Sequence, residues 1–332
     1  MPRRPLPVQY ISMRPSNTPS SSDVSVVLQG PIQQQTASVI SSVRRVLPSA
    51  EVILSTWENS DVSGLAADIV ITSPDPGSIP SGLPGPRATS NINRQIVSTQ
   101  AGLEKASRPY ILKARTDTVF HSANFLGAIH AFPAHGKYHV LKERIVTPTR
   151  ITLDPRRCPH AMHMSDWVHA GLAEDIRLLW SLPLVTEEEA LYWNSSTTPL
   201  PKEEAIWLRD YRSRLAPEQY LFTHLMKNTT LPLPAHVWDT SPELIVSTER
   251  AIADNLVLLS PKNYGFSFSK YPWPLVQRGI CYTQAEFAEL YKRHCAILPT
   301  PLLPLLRIPS DITAASITHA RSSSTLRKLL KK

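Results

Sequence analysis
Between residues 24 and 118, short apolar runs alternate with two helical periodicities, and that alternation constrains the fold more than any other feature of the chain. Val24 to Leu28 is a β-branched run suited to a buried parallel strand. Ile40, Val43 and Leu47, with Val39 and Val46 beside them, recur at helical spacing until Pro48 stops them. Glu51 to Trp57 and Asp68 to Thr72 read as two further strands, and a long Pro- and Gly-rich turn follows from Ser73 to Pro86. Ser90 or Asn91 can cap a second helix, in which Ile92, Ile96 and Leu103 share one face while Asn91, Arg94, Gln95 and Ser98 share another. Tyr110 to Arg115 is the next strand. The order strand–helix–strand–strand–helix–strand predicts an α/β nucleotide-binding half-domain, whose right-handed crossovers align Gly30, Glu58 and Asp117 along one sheet edge.

The last of these strands carries the chemistry. The apolar run Tyr110-Ile-Leu112 ends in Lys113, Arg115 and Asp117, two cations and a carboxylate. Ligands of open α/β sheets bind outside the carboxyl ends of the strands. A carboxylate there suits a divalent metal and cations beside it suit phosphate; the plain alternative is a strand end with solvated charges. The first strand-to-helix turn holds only Gly30, so the G-x-G-x-x-G fingerprint is absent, and so is G-x-x-x-x-G-K-[ST]. A dinucleotide oxidoreductase and a P-loop phosphotransferase are therefore disfavoured. A diphosphate ligand bridged by a divalent cation fits what remains.

Net charge is +8, but residues 1–22 contribute +3 and residues 307–332 contribute +5, leaving the body between them neutral. A neutral body is not a nucleic-acid surface, so no nucleic-acid partner is expected. The basic tails suit either peripheral contact with an anionic membrane or simple solubility. Three cysteines (Cys158, Cys281, Cys295) make no even framework, so reduced thiols in a cytoplasmic protein are expected. No stretch approaches the roughly 20 apolar residues of a membrane span, and no apolar run follows the N-terminal arginines to make a secretory signal.

Downstream, Asn124 to Phe132 is read as a helix, Tyr138 to Thr147 as a strand, and Gly171 to Trp180, Glu203 to Met226 and Ala285 to Cys295 as helices, with Pro217 starting a fresh helix. The expected layout is a basic tail at 1–22, one domain at 23–298 (nucleotide-binding half 23–120, acceptor half 121–298) and a basic Pro/Ser-rich tail at 299–332.

Several blocks resemble the WavE-type lipopolysaccharide-synthesis family: Val24-Ser-Val-Val-Leu-Gln-Gly-Pro-Ile32, Ile53-Leu-Ser-Thr-Trp-Glu58, Asn93-Arg-Gln-Ile-Val-Ser-Thr99, Leu112-Lys-Ala-Arg-Thr-Asp117, Lys142-Glu-Arg-Ile145, Ser165-Asp-Trp167 and Pro217-Glu-Gln-Tyr220. They stand in the family's order. The resemblance implies a GT-A-like (Rossmann-like), mixed, mostly parallel sheet flanked by helices, with a mainly helical C-terminal extension. It also implies a glycosyltransferase that takes a nucleotide-sugar donor and a glycan or glycolipid acceptor on the cytoplasmic side. By analogy Arg115-Thr-Asp117 occupies the place of the metal-binding D-x-D, with Asp117 holding manganese or magnesium. Arg115 stands where the first Asp is expected, so one carboxylate is left to anchor the metal.

In that reading Gln29, Gly30 and Pro31, with Glu58 or Asp61, cradle base and ribose, while Asn93, Arg94, Gln95, Lys113 and Arg115 hold the rest of the donor. An attacking hydroxyl must lose its proton, so a positioned carboxylate is needed as general base. Asp166, in a short polar turn, is the first candidate and Glu218 the second; helix capping is the competing role for Asp166. Cys158, His160 and His163 have ligand-like spacing without the fourth partner of a structural zinc site. His163 and His169 can line the acceptor pocket, and the tryptophans Trp57, Trp167, Trp180 and Trp207 serve as sugar platforms or, more simply, as core or interface residues. The alternative function is a non-catalytic nucleotide- or glycan-binding subunit, kept open by the missing first Asp.

Overall fold
A computed structural model describes residues 18–80, 89–197, 213–268 and 279–295. The outer part of the N-terminal tail, the whole of the C-terminal tail, the tip of the proline-rich turn, and the first part of the helix expected from Glu203, with Trp207 in it, lie outside these residues.

The predicted alternation is present. The elements are β1 (Val24–Gln29), α1 (Thr36–Val46), β2 (Glu51–Trp57), β3 (Ile69–Ser73), α2 (Ile92–Lys105) and β6 (Tyr110–Arg115), with a two-residue pair, β4 (Ile79–Pro80) and β5 (Thr89–Ser90), inside the turn. The chain continues through β7 (Thr118–Phe120), β8 (Ile145–Pro148), β9 (His169–Leu172), α3 (Ala173–Leu179), α4 (Glu187–Ala190), α5 (Tyr192–Ser195), α6 (Pro217–Met226) and α7 (Pro242–Asn255). Then come β10 (Leu256–Leu259), α8 (Pro261–Tyr264), β11 (Phe266–Phe268) and α9 (Gln284–His294).

Seven strands form one sheet in the order β10-β8-β9-β6-β1-β2-β3. Pairing is parallel throughout except at β9, which runs antiparallel to both β6 and β8. This is the mixed, mostly parallel, Rossmann-like α/β sheet flanked by helices that the resemblance implied. Strand order reverses direction at β1, which pairs with β2 on one side and β6 on the other. Such a switch point leaves a crevice at the carboxyl ends of the two strands.

β1, in the middle of the sheet, is buried on both faces, which explains its reading as nearly continuous apolar sequence. Alternation assigns Val26, Leu28, Leu112 and Ala114 to one face and Val27, Gln29, Lys113 and Arg115 to the other. Gly102 of α2 lies so close to Val27 and Ser55 that a Cβ there would stand 2.5 Å from Val27 Cγ1. Glycine therefore lets α2 settle on the second face, and α2 becomes one wall of the crevice.

Several expectations shift in detail. Asn124–Ala128 is a 3-10 turn rather than a full helix. The strand expected from Tyr138 begins only at Ile145, because residues 132 to 140 form a loop held by buried side chains. Gly171 and Leu172 belong to β9, and the helix expected from Gly171 starts at Ala173. After β9 the chain is mainly helical, yet β10 returns to the sheet edge beside β8.

Candidate active site
The β1–β6 register places Gln29 opposite Arg115, the last residue of each strand. Beyond them the two chain ends are laced together. Thr116 N donates to Gln29 O at 3.1 Å, and Thr116 Oγ1 donates to Pro31 O at 2.7 Å. Gly30 carries φ of +120°, a conformation closed to most L-residues, and its N–H donates to Ser55 O of β2 at 3.0 Å. Gln29 is buried and accepts at 2.8 Å from Ser98 of α2, so its side chain orients the wall rather than projecting outward. Pro31 and Glu58 are exposed at this same edge. Asp61 is exposed too, and its carboxylate accepts from Ser63 within the turn, which holds its pKa down.

Arg115 and Asp117 form a fork. Nε donates to Oδ1 and Nη2 to Oδ2, each at 2.9 Å. The Asp117 side chain is 1% exposed and that of Arg115 24%, so the carboxylate sits behind and the guanidinium faces outward. The guanidinium carbon lies 4.9 Å from the Phe268 ring, and Phe268 stacks on Trp167 at 4.5 Å, with Arg150 beyond it at 5.3 Å. Planar groups in contact thus connect the end of β6 to the β8–β9 loop that carries Asp166.

Asp166 heads a second cluster. Gln95 of α2 donates to Asp166 Oδ2 at 2.7 Å, while Oδ1 is buried with no hydrogen-bond partner. Lys113 is fully buried and donates at 2.7 Å to the main-chain carbonyl of Asp166, with its ammonium 4.2 Å from the Trp180 ring centroid. Burial pulls this lysine down to about 7, although the nearby Asp166 charge raises it. Glu218, in the first turn of α6, is pushed up to about 8 by burial and then by the Asp166 charge. A helix N-terminus favours an anion by only about 0.3–1 kcal/mol, so burial dominates. Glu218 Oε2 is also buried without a hydrogen-bond partner and lies 3.7 Å from His163 Nε2.

His163 is held by strained backbone. Its Nδ1 donates at 2.9 Å to the carbonyl of Ile151, a β-branched residue at φ of +67°. Burial lowers His163 to about 4, so it stands neutral with Nε2 turned toward Glu218 as an acceptor. His169 has no such role. It donates through Nε2 to Ser165 O, accepts through Nδ1 from Trp180, and is buried.

Of the residues chosen from sequence, Gln29, Gly30, Pro31 and Arg115 meet at the switch point, Glu58 follows β2 at the same sheet edge with its N–H on Ser73 O of β3, and Gln95, Lys113, Asp166 and Glu218 meet beside the switch point. Asn93 does not join them, because its amide is engaged on both backbone groups of Val185 and buried there. Arg94 turns away to pair in bidentate fashion with Asp75. Lys113 is engaged on the main-chain carbonyl of Asp166 and fixes that turn. Both Asp117 oxygens accept from Arg115, and no cluster of three or more His, Cys, Asp or Glu able to hold a metal exists among the described residues. Cys158, Cys281 and Cys295 are buried thiols in no disulfide, and Cys158 packs in a small apolar cluster with Trp193, Trp238 and Cys281. Sequence reasoning missed Thr116, Ser98 and Phe268. Ser98 was legible on the polar face of α2, but nothing local marks Phe268.

Among the described residues no helix is long and apolar enough to cross a membrane. No curated protein matches the chain. Residues 24–308 match the family model described as WavE lipopolysaccharide synthesis, and since that is most of the sequence, the chain belongs to this family.

Proposed function
We propose that the protein is a glycosyltransferase that moves a sugar from a nucleoside-diphosphate sugar to a growing lipopolysaccharide or related surface glycan. Membership of a lipopolysaccharide-synthesis family supplies the biological setting. The observation that carries the reaction class is the pair of carboxyl groups beside the switch point, each with a buried oxygen that no protein group bonds: Asp166 Oδ1 and Glu218 Oε2. Buried polar atoms without partners carry a cost of about 1–3 kcal/mol each, and a hydroxylic substrate would relieve it.

In this reading the nucleotide lies over Gln29, Gly30 and Pro31, with Glu58 at the rim. The acceptor hydroxyl meets Asp166 Oδ1, while Gln95 holds Oδ2 and so fixes the rotamer. As the hydroxyl oxygen bonds to the anomeric carbon, its proton passes to Asp166. The anomeric carbon–phosphate oxygen bond breaks, and its electron pair leaves on the nucleoside diphosphate. Glu218, neutral near pH 7, donates a hydrogen bond to the sugar or acceptor. No step runs through a metal ion at Asp117, for the geometric reason given above.

The test is nucleotide release from a panel of nucleotide sugars with glycan acceptors, comparing wild type with Asp166→Asn. Loss of turnover by about 10²-fold or more, with donor binding retained, is expected of a general base. Full turnover in the variant removes Asp166 from the reaction. The second reading, a non-catalytic nucleotide- or glycan-binding subunit, draws on the Asp117 carboxylate being engaged by Arg115. Nucleotide binding by the wild type without turnover on any acceptor would favour it.

A further inference from the structure
We infer that Arg115 takes the place of the divalent cation and supplies the positive charge at the donor diphosphate, with Asp117 as its positioning residue. The inference rests on the glycosyltransferase reading and deepens it.

Three observations converge. First, both Asp117 oxygens accept from the guanidinium at 2.9 Å, and Gln33 Nε2 lies 3.5 Å from Oδ2. A magnesium ion needs oxygen ligands at about 2.0–2.1 Å in near-octahedral geometry. It would have to break the fork and then sit beside the displaced cation. Second, the exposures are ordered: the Asp117 side chain is 1% exposed and Arg115 24%, so a ligand entering the crevice meets the guanidinium first. Third, the register opposite Gln29 sets Arg115 at the mouth of the switch point, where a nucleotide's phosphates belong in an open α/β sheet.

The chemistry suits the task. Guanidinium remains charged at any working pH and matches phosphate oxygens through parallel N–H donors. Phe268 under one face and the Asp117 fork along one edge limit its rotamers, so little ordering remains to be done when the ligand arrives. As the anomeric carbon–oxygen bond breaks, charge grows on the leaving diphosphate and a fixed cation there stabilises it where it forms. Arg115 contacts the leaving group directly, whereas Asp117 acts only through Arg115.

The experiment is calorimetric titration of UDP, GDP, ADP and dTDP into the full chain, in EDTA and then in manganese chloride. Electron paramagnetic resonance on the same samples counts protein-bound manganese. Wild type is expected to bind one nucleotide equally well in both buffers, with no manganese bound beyond what the nucleotide itself carries. Arg115→Ala should weaken that binding by at least about tenfold, or about 1.4 kcal/mol, and Arg115→Lys by less. Asp117→Asn, which keeps one acceptor for the guanidinium, should recover part of the binding lost in Asp117→Ala. Thermal melts of the Lys and Asn variants establish that the fold persists. Nucleotide binding that appears only with manganese, or that survives Arg115→Ala undiminished, overturns the assignment and leaves the glycosyltransferase reading standing. Failure of every nucleotide to bind in either buffer overturns both.

Discussion
The ammonium of Lys113, fully buried on the central strand β6, donates a 2.7 Å hydrogen bond to the main-chain carbonyl of Asp166 rather than to any carboxylate. A cation buried with one carbonyl and one aromatic face is costly, and burial brings its pKa from 10.5 to about 7. Between those two values the unfolded chain holds the extra proton, so stability rises with pH across that window. Below pH 7 both states are charged and the whole cost of burial is present. Lys113→Met removes this dependence. Urea denaturation at pH 7, 8, 9 and 10 should therefore show wild type gaining on the variant as pH rises, by several kcal/mol in total at about 1.4 kcal/mol per unit. A flat difference would place the ammonium in water.

Glu218 has the opposite sign. Its carboxyl goes from 4.5 in the unfolded chain to about 8 in the fold, chiefly through burial. From pH 4.5 to 8 the folded state holds the extra proton, so the contribution to stability is complete below 4.5 and is lost as pH rises through 8. Glu218→Gln imitates the neutral carboxyl at every pH. The variant should gain on wild type between pH 4.5 and 8 and run parallel above it. If the neutral form is also the working one, wild-type kcat falls above about pH 8 while the Gln variant lacks that limb. Identical basic limbs in the two pH–rate profiles would remove Glu218 from the reaction.

The first half of the chain was legible because each element there carries its own local signal. β1, β2 and β3 are apolar runs bounded by turn residues, and α1 and α2 repeat at helical spacing. The edge shared by Gly30, Glu58 and Asp117 follows from parallel pairing alone. Past residue 118 the determinants are tertiary. β9 runs antiparallel in a mostly parallel sheet with the sequence His-Ala-Gly-Leu, and no periodicity in four residues announces that. The roles of charged residues were the least legible. Arg94, Lys113 and Asp117 all read as ligand groups from their types, yet Asp75, the Asp166 carbonyl and Arg115 engage them. Partners that distant in sequence leave no mark beside the residue itself.

Arg144 shows the same point on the structural side. It is fully buried, and its guanidinium donates to the carbonyls of Phe132, Ala134 and Ala253, with the Tyr291 ring 4.9 Å from its centre. The arginine thus ties the loop before β8 to the end of α7. Arg144→Met keeps most of the volume but leaves three carbonyls without that donor. Destabilisation on the order of 3–5 kcal/mol is expected, from lost hydrogen bonds and unpaired buried groups. Denaturant midpoints of wild type and variant at one pH measure it. A shift equivalent to less than about 1 kcal/mol, the range of an ordinary hydrogen bond, would mean that water replaces the guanidinium.

The Asp166 carboxylate is asymmetric, and that asymmetry separates positioning from chemistry. Oδ2 is held by Gln95 at 2.7 Å, whereas Oδ1 has no partner. Gln95→Ala leaves the carboxylate in place but frees its rotamer, so the base is present without being aimed. Misorientation of this kind lowers kcat more modestly than loss of the group, about tenfold against about 10²-fold or more for Asp166→Asn. Donor KM should hold in both variants, because neither side chain lies among the residues that cradle the nucleotide. The double variant should be no slower than Asp166→Asn alone, since with the base gone there is nothing left for Gln95 to aim. Steady-state kinetics on the four proteins closes the cycle. Additive losses in the double variant would show that Gln95 contributes independently of Asp166, and the hydrogen bond between them would then be packing rather than part of the proton transfer.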